Sequence, residues 1–317
     1  MPSQRSSTGS SSSSPSRARS IVFVREGDFG LPYSKGLMAN AIAASGLPPL
    51  RAFRVAGIIE ERLLGERRGS ISTKELRALA LEVLRAEEGE ERAGAYERWQ
   101  IATHLDRPLV ILIGGGTGVG KSTIATQLAA RLGIPRVLST DAIREVLKGV
   151  FSQEFQPTLY RSSFDADQAV KDRIGEGEQA VLVGFREQVS AITPGIEAMI
   201  RRAVTEGTDQ IIEGAHVLPG TIDLATFGPE AVIVQVVIVV SDEDLHRSHF
   251  HVRAHDTRNR PAERYLAHFD NIRIIQSHIR SRAEALGIPV ISHETMDAGL
   301  TAVIEYVIDA AVRAATV

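Results

Sequence analysis

The chain has 317 residues, of which 43% are hydrophobic and 24% charged, a composition ordinary for a globular protein of one or two domains. A net charge of -3 gives no reason to expect nucleic acid as a partner, and no apolar run approaches the ~20 residues that a membrane helix needs. Cysteine is absent, which excludes disulfides and thiolate metal sites and fits a reducing cytoplasm.

The first third of the chain is predicted to hold a tail and a small domain. Residues 1–19 are rich in serine and lack the apolar centre of a secretory signal, so we expect a disordered, solvated tail. Residues 20–104 are predicted to form a small, mostly helical domain. Its predicted elements are a strand at 20–24, a glycine turn at 26–30, helices at 34–44 and 50–64, and a third helix that a capping box opens at Ser72.

Residues 105–317 are predicted to form a second domain with an α/β fold. Continuous apolar runs alternate with helical patterns, which indicates βαβ units and a parallel sheet flanked by helices. The predicted strands are 109–113, a short one within 134–141, 210–212 and 232–240, with 180–183 as a further extended piece; the predicted helices are 122–132, 141–150, 165–175 and 193–206. Right-handed crossovers would bring the strand ends, and so the ligand, to one edge of the sheet.

A phosphate-binding motif follows the first strand of this domain directly. Gly115 to Ser122 reads G-x-x-x-x-G-K-S, and its glycines let backbone amides surround phosphate groups. Lys121 places a charge against the β- and γ-phosphates, and Ser122 offers a hydroxyl to Mg²⁺. A glycine turn that merely joins strand to helix is the alternative, but strand, motif and helix agree. We therefore predict a P-loop kinase core in which ATP is bound by the following residues: Gly115, Gly116, Thr117, Gly118, Val119, Gly120, Lys121, Ser122 and Thr123.

Two other strand ends carry polar side chains that face the same edge. Asp141 is placed either to cap the following helix or to accept or steer the proton of an acceptor hydroxyl. Arg144, one turn later, is placed to hold an anionic acceptor. Glu213 is predicted to bind Mg²⁺ directly or through water. His216 is predicted to contact a phosphate or carboxylate of the substrate, with a structural role as the alternative.

The stretch 245–264 is rich in arginine and histidine and has three interpretations. A solvated basic face is the ordinary one, and a zinc site is disfavoured because the histidine spacing does not suit a ligand pair on a helix. We favour a lid that brings arginines over the transferring phosphoryl group and excludes water. In that lid, Arg247 is predicted to bind ATP and Arg253 to take part in catalysis.

Several of these motifs together resemble the archaeal 2-phosphoglycerate kinases, over about residues 20–315. They are the phosphate loop within 113–125, the segment 132–144, Ile212-Glu-Gly-Ala-His216 with Pro219-Gly220, the arginine-rich stretch after Asp242, and Tyr265 with Phe269-Asp-Asn-Ile-Arg273. The resemblance implies transfer of the γ-phosphoryl group of Mg-ATP to the 3-hydroxyl of 2-phosphoglycerate, which gives 2,3-diphosphoglycerate. Such an acceptor carries a carboxylate and a phosphate and so requires several arginines, for which Arg144, Arg186 and Arg253 are the candidates.

The resemblance extends to the first domain and also has departures. The region from Val22 through Lys35 and the helices after it is similar to an ATP cone, which elsewhere is a regulatory nucleotide-binding module. His249 stands where the family pattern leads us to expect an arginine, so the lid loses one fixed charge. The serine-rich tail is not part of the pattern.

Two alternatives to this function stay open. The same fold and chemistry could serve another small acceptor, such as a sugar phosphate, a polyol or a nucleoside. The chain could also be an ATP-sensing regulator without catalysis, although Asp141 and the arginines favour an enzyme. The expected partner is a small anionic substrate, with no nucleic acid or membrane, and a homo-oligomer is left open.

Overall fold

A computed structural model describes residues 22–66, 69–256, 262–292 and 294–316, with the backbone alone for 253–256. The predicted serine-rich tail lies outside the described residues. The chain divides into two compact units, one up to Ala93 and one from Gly94. The division falls earlier than the boundary after residue 104 that the sequence predicts.

The first unit combines helices with a three-stranded sheet. Its elements are β1 (Phe23–Glu26), β2 (Phe29–Pro32), α1 (Lys35–Ala44), α2 (Pro49–Gly65), β3 (Ser70–Ser72) and α3 (Thr73–Glu88), and α4 (Glu90–Ala102) spans the division. The sheet order is β2-β1-β3, with β1 antiparallel to β2 and parallel to β3. Helices α1, α2 and α3 agree with the prediction, whereas α4, β2 and β3 were not predicted. The resemblance to an ATP cone stays a prediction.

The predicted capping box at the start of α3 is confirmed. The hydroxyl of Ser72 accepts a hydrogen bond from the Glu75 amide at 3.2 Å, and the Glu75 carboxylate accepts one from the Ser72 amide at 3.0 Å. These two bonds satisfy amides that the first turn of a helix leaves without partners. The helix then buries Leu76, Val83 and Leu84 on one face.

The second unit is built on a parallel sheet, as predicted, and the sheet has five strands, of which the last along the chain was not predicted. Its strands are β4 (Leu109–Gly114), β5 (Arg136–Ser139), β6 (Gln210–Glu213), β7 (Val232–Val239) and β8 (Val290–Ser292), in the order β5-β6-β4-β7-β8. Every neighbouring pair is parallel. All six residues of the central strand β4 are buried, because helices cover both faces of the sheet.

The helices of this unit connect the strands and cover the sheet. They are α5 (Lys121–Leu132), α6 (Thr140–Lys148), α7 (Lys171–Ile174), α8 (Glu178–Glu206), α9 (Glu243–Asp256), α10 (Ala262–Ala267), α11 (Phe269–Ala285) and α12 (Met296–Ala315). Helices α5 and α12 pack on one face of the sheet, and α8 packs on the other. Within the described part of the chain, no helix is both long and apolar enough to cross a membrane.

Two of the predicted elements have a different conformation in the structure. The predicted extended piece at 180–183 is wrong, because these residues lie in the first turns of α8. Gly184 lets this helix approach the main chain of Ala166, from which a side-chain carbon at Gly184 would lie only 2.5 Å away. The predicted helix at 165–175 is broken into a short 3₁₀ turn at Ala166–Ala169 and the four-residue α7.

Candidate active site

The phosphate-binding motif forms the turn between β4 and α5, as its residue types require. Gly118 has a φ of +86° and lies so close to Phe250 that a side-chain carbon would come within 2.4 Å of the ring. Only glycine fits such a backbone without strain. The predicted ATP-binding residues 115–123 thus lie in this loop and the first turn of α5, although the Val119 side chain is fully buried in the core and only its backbone is available to a phosphate.

The ammonium group of Lys121 lies against the main chain of this loop. The side chain is buried, and its Nζ donates to the carbonyl oxygen of Gly116 at 2.6 Å. The loop opens into a cleft of about 290 Å³. The cleft is lined by Gly118, Gly120, Lys121, Ser122, Thr123, His249, Val252 and Met296. A buried ammonium beside the N-terminus of a helix is an arrangement that suits an anion.

The two predicted magnesium ligands lie in contact. The hydroxyl of Ser122 donates to the carboxylate Oε1 of Glu213 at 2.9 Å. Strand β6 lies next to β4, so the residue that ends β6 reaches the first turn of α5. Glu213 is only 6% exposed. A hydroxyl and a carboxylate beside a phosphate loop are the hard oxygen donors that Mg²⁺ takes, so these residues fit that ion.

Asp141 and Arg144 lie at the N-terminus of α6, where β5 ends. The interpretation of Asp141 as the helix cap is wrong, because Ser139 occupies the cap and its hydroxyl accepts from the Ala142 amide at 3.1 Å. The Asp141 carboxylate is instead largely exposed, 3.7 Å from the guanidinium of Arg144. Arg144 also donates to the carbonyl oxygen of Arg161 at 2.8 Å, while its buried Nε has no partner among the described residues.

His216 lies at the centre of a buried chain of hydrogen bonds that includes Thr140, the residue before Asp141. Its Nδ1 is 2.8 Å from the Thr140 hydroxyl and its Nε2 is 2.8 Å from the Gln188 amide oxygen. The Gln188 nitrogen donates to the Thr158 and Arg161 carbonyls, so its oxygen faces His216 and the imidazole donates from Nε2. Burial lowers the pKa of His216 to about 4, which keeps it neutral at pH 7.

The other arginines predicted for the substrate, for ATP or for catalysis lie in different places. Arg186 on α8 donates to His278 at 3.3 Å, and the Arg247 guanidinium lies 3.7 Å from the centre of the Phe269 ring. Among the described residues, neither side chain lines the cleft at the phosphate loop. Arg253 is in α9, but its side chain lies outside what is described. The stretch 245–264, which was predicted to form a lid, falls in α9 and in the start of α10, with 257–261 outside the described residues, and its role as a lid stays a prediction.

One segment of the site carried no sequence signal. Residues 161–165 pass between the phosphate loop and α6: the Ser163 hydroxyl is 3.5 Å from the Thr117 hydroxyl, and the Arg161 carbonyl binds Arg144. At the end of the segment, Arg264 donates a hydrogen bond to the buried carboxylate of Asp165 at 3.1 Å. The segment has no motif, and only its hydrogen-bond partners identify it.

The parallel sheet, the phosphate loop with its lysine, and the acidic residues at the ends of the neighbouring strands define a P-loop kinase. A sequence profile of a family described as an AAA domain matches residues 110–274. Curated relatives match most of the chain. They include the 2-phosphoglycerate kinases of Methanopyrus kandleri (37% identical, over 90% of this chain and 86% of that protein), Methanocaldococcus jannaschii (38%, 90% and 91%) and Methanothermobacter thermautotrophicus (39%, 83% and 85%). The chain belongs to the 2-phosphoglycerate kinase family.

Proposed function

We propose that this chain transfers the γ-phosphoryl group of ATP to the 3-hydroxyl of 2-phosphoglycerate and so forms 2,3-diphosphoglycerate. The observation that carries the proposal is the placement of an anion receptor and an exposed carboxylate with an adjacent arginine at the ends of strands β4 and β5. Relatives at 37–39% identity that bear the name of this enzyme support the same acceptor.

The phosphate loop holds the donor. Its amides and Lys121 surround the β- and γ-phosphates and stabilise the charge that spreads over the γ-phosphoryl oxygens during transfer. Ser122 and Glu213 would hold Mg²⁺, directly or through a water molecule, and the ion would supply positive charge that offsets the negative charge of the phosphates. Thr123 lies in the first turn of α5 and lines the cleft beside the loop.

The ends of β5 and β6 hold the acceptor. Asp141 accepts a hydrogen bond from the acceptor hydroxyl and turns its oxygen toward the γ-phosphorus. Arg144 pairs with the carboxylate or phosphate of the acceptor, and Arg186 and Arg253 are further candidates for this task. Arg247 is proposed for ATP. His216, with both ring nitrogens bound to protein groups, positions Thr140 and Gln188 rather than touching the substrate.

An ADP-release assay with a panel of acceptors tests this function. Purified protein with Mg-ATP is compared on 2-phosphoglycerate, 3-phosphoglycerate, glycerate and several sugar phosphates. We expect turnover with 2-phosphoglycerate that exceeds all others. Turnover with a different compound alone would retain the P-loop chemistry and reject the acceptor. Tight ATP binding without turnover on any acceptor would favour the ATP-sensing alternative.

We also infer that the protein acts in the cytoplasm, because a reducing compartment suits a chain without cysteine and both substrates are small soluble anions.

A further inference from the structure

Helix α9 contacts the phosphate loop through two histidines one turn apart. His246 Nε2 lies 2.8 Å from the carbonyl oxygen of Thr117, and His249 Nδ1 lies 3.0 Å from that of Gly118. A carbonyl oxygen can only accept, so each of these ring nitrogens carries a proton and donates. Two successive carbonyl groups of the loop are therefore each held by an imidazole.

The surroundings of His246 fix its tautomer and its ring plane. Arg273 brings a guanidinium nitrogen within 3.5 Å of His246 Nδ1 while it donates to the Val240 carbonyl at 2.7 Å, which leaves Nδ1 as the acceptor. The ring stacks on Phe250 and meets the edge of Phe269, each with centroids 5.4 Å apart. Burial lowers the pKa of His246 to about 4, so the imidazole is neutral at pH 7.

The orientation of these carbonyls decides where the loop amides point. A peptide unit is planar and trans, so its N–H points away from its C=O. The carbonyl of Thr117 shares a peptide unit with the amide of Gly118, and the carbonyl of Gly118 shares one with Val119. Holding both carbonyls against the two imidazoles turns both amides away from those rings and fixes their direction, as an anion nest requires of its amides.

We propose that His246 and His249 are positioning residues that preorganise the phosphate loop for ATP by anchoring the carbonyl groups of Thr117 and Gly118. The proposal rests on ATP binding by this loop, which the proposed function also requires. It gives a role to Arg273 of the Phe269-Asp-Asn-Ile-Arg273 motif, because Arg273 fixes the tautomer of His246. It also joins the loop to the helix that continues to Arg253.

Binding of inorganic tripolyphosphate and of ATP tests the proposal, because tripolyphosphate engages only the phosphate-binding part of the site. His246→Leu removes the donor, and His246→Gln replaces it with an amide N–H at a similar reach. We expect His246→Leu to weaken both ligands by the same factor, about 5- to 10-fold, because one neutral hydrogen bond is worth about that much. His246→Gln should bind within about 2-fold of the unaltered protein. His104→Leu, at an exposed histidine elsewhere in the second unit, is the matched control.

His249→Ala and His249→Asn provide a second, independent pair, since His249 is only half-buried and its loss leaves the core intact. Equal affinity for tripolyphosphate in the unaltered protein, His246→Leu and His249→Ala would overturn the proposal. The proposal would also be overturned if His246→Gln bound tripolyphosphate as weakly as His246→Leu, and His249→Asn as weakly as His249→Ala. Failure of the unaltered protein to bind either ligand would instead reject the proposed function, and the positioning role with it.

Discussion

Gly214→Ala is expected to damage the buried chain of hydrogen bonds around His216. Gly214 follows β6 with a φ of +154°, and an added side-chain carbon would lie 1.8 Å from the Thr140 hydroxyl oxygen. A non-glycine residue in this backbone region costs about 1–3 kcal/mol. Displacing the hydroxyl leaves the buried His216 Nδ1 without its donor, for about 1–3 kcal/mol more. The free energy of unfolding should therefore fall by about 4 kcal/mol.

Urea unfolding monitored by the fluorescence of Trp99 measures this loss, because the only tryptophan of the chain lies in the second unit. Gly207→Ala is the control: its φ is also positive, +59°, but no atom lies within 4 Å of the added carbon, so about 1–2 kcal/mol should be lost. Thr140→Ala removes the colliding hydroxyl, and the double variant should lose less than the sum of the two single losses. The predicted collision would be refuted if the losses in unfolding free energy of Gly214→Ala and Thr140→Ala were fully additive in the double variant, or if Gly214→Ala and Gly207→Ala lost the same amount.

Four further predictions concern the site. Lys121→Ala should lower kcat at least roughly 100-fold in a folded protein, because the γ-phosphoryl charge loses its ammonium partner; steady-state kinetics with circular dichroism checks this. Asp141→Asn should lower kcat roughly 100-fold with an unchanged KM for ATP, and unchanged turnover would remove Asp141 from the mechanism. Glu213→Gln should raise the Mg²⁺ concentration for half-maximal rate roughly 10- to 100-fold in a metal titration. The pKa of His216 is about 4 in the folded protein against 6.5 in the unfolded chain, so its contribution to stability is fully present above pH 6.5 and about 3 kcal/mol is lost as the pH falls toward 4. In His216→Gln, the free energy of unfolding measured in urea should fall less across that pH range.

The parallel sheet was predictable because its signals are local. Strand β4 is an unbroken apolar run buried on both faces, and the loop after it has a fixed spacing of glycine, lysine and serine. The run at 180–183 carries no such signal, since four apolar residues suit a strand and a buried helix equally. Its helical state follows from the close approach of Gly184 to Ala166, a contact that no local pattern reveals.

The site was predictable where a motif or a strand end marks it. Ser122 was assigned to Mg²⁺ from the phosphate-loop motif and Glu213 from its place at a strand end, and the structure places their side chains 2.9 Å apart. Gln188 could not be found, because an isolated glutamine in a helix becomes meaningful only through partners far along the chain. His246 was expected in a lid, whereas its contact is with Thr117, 129 residues earlier. Distant contacts of this kind depend on the packing of α8 and α9 and leave no spacing in the sequence.

Transfer of the phosphoryl group itself is the most direct test of the proposed reaction. The purified protein is incubated with Mg²⁺, γ-labelled ATP and 2-phosphoglycerate, and the products are separated and identified by phosphorus NMR. We predict that the label appears in 2,3-diphosphoglycerate, on the 3-oxygen, in equal amount to the ADP released, and that Lys121→Ala forms almost none. Label recovered only as free phosphate, or no label transferred to 2-phosphoglycerate at all, would contradict the proposed reaction.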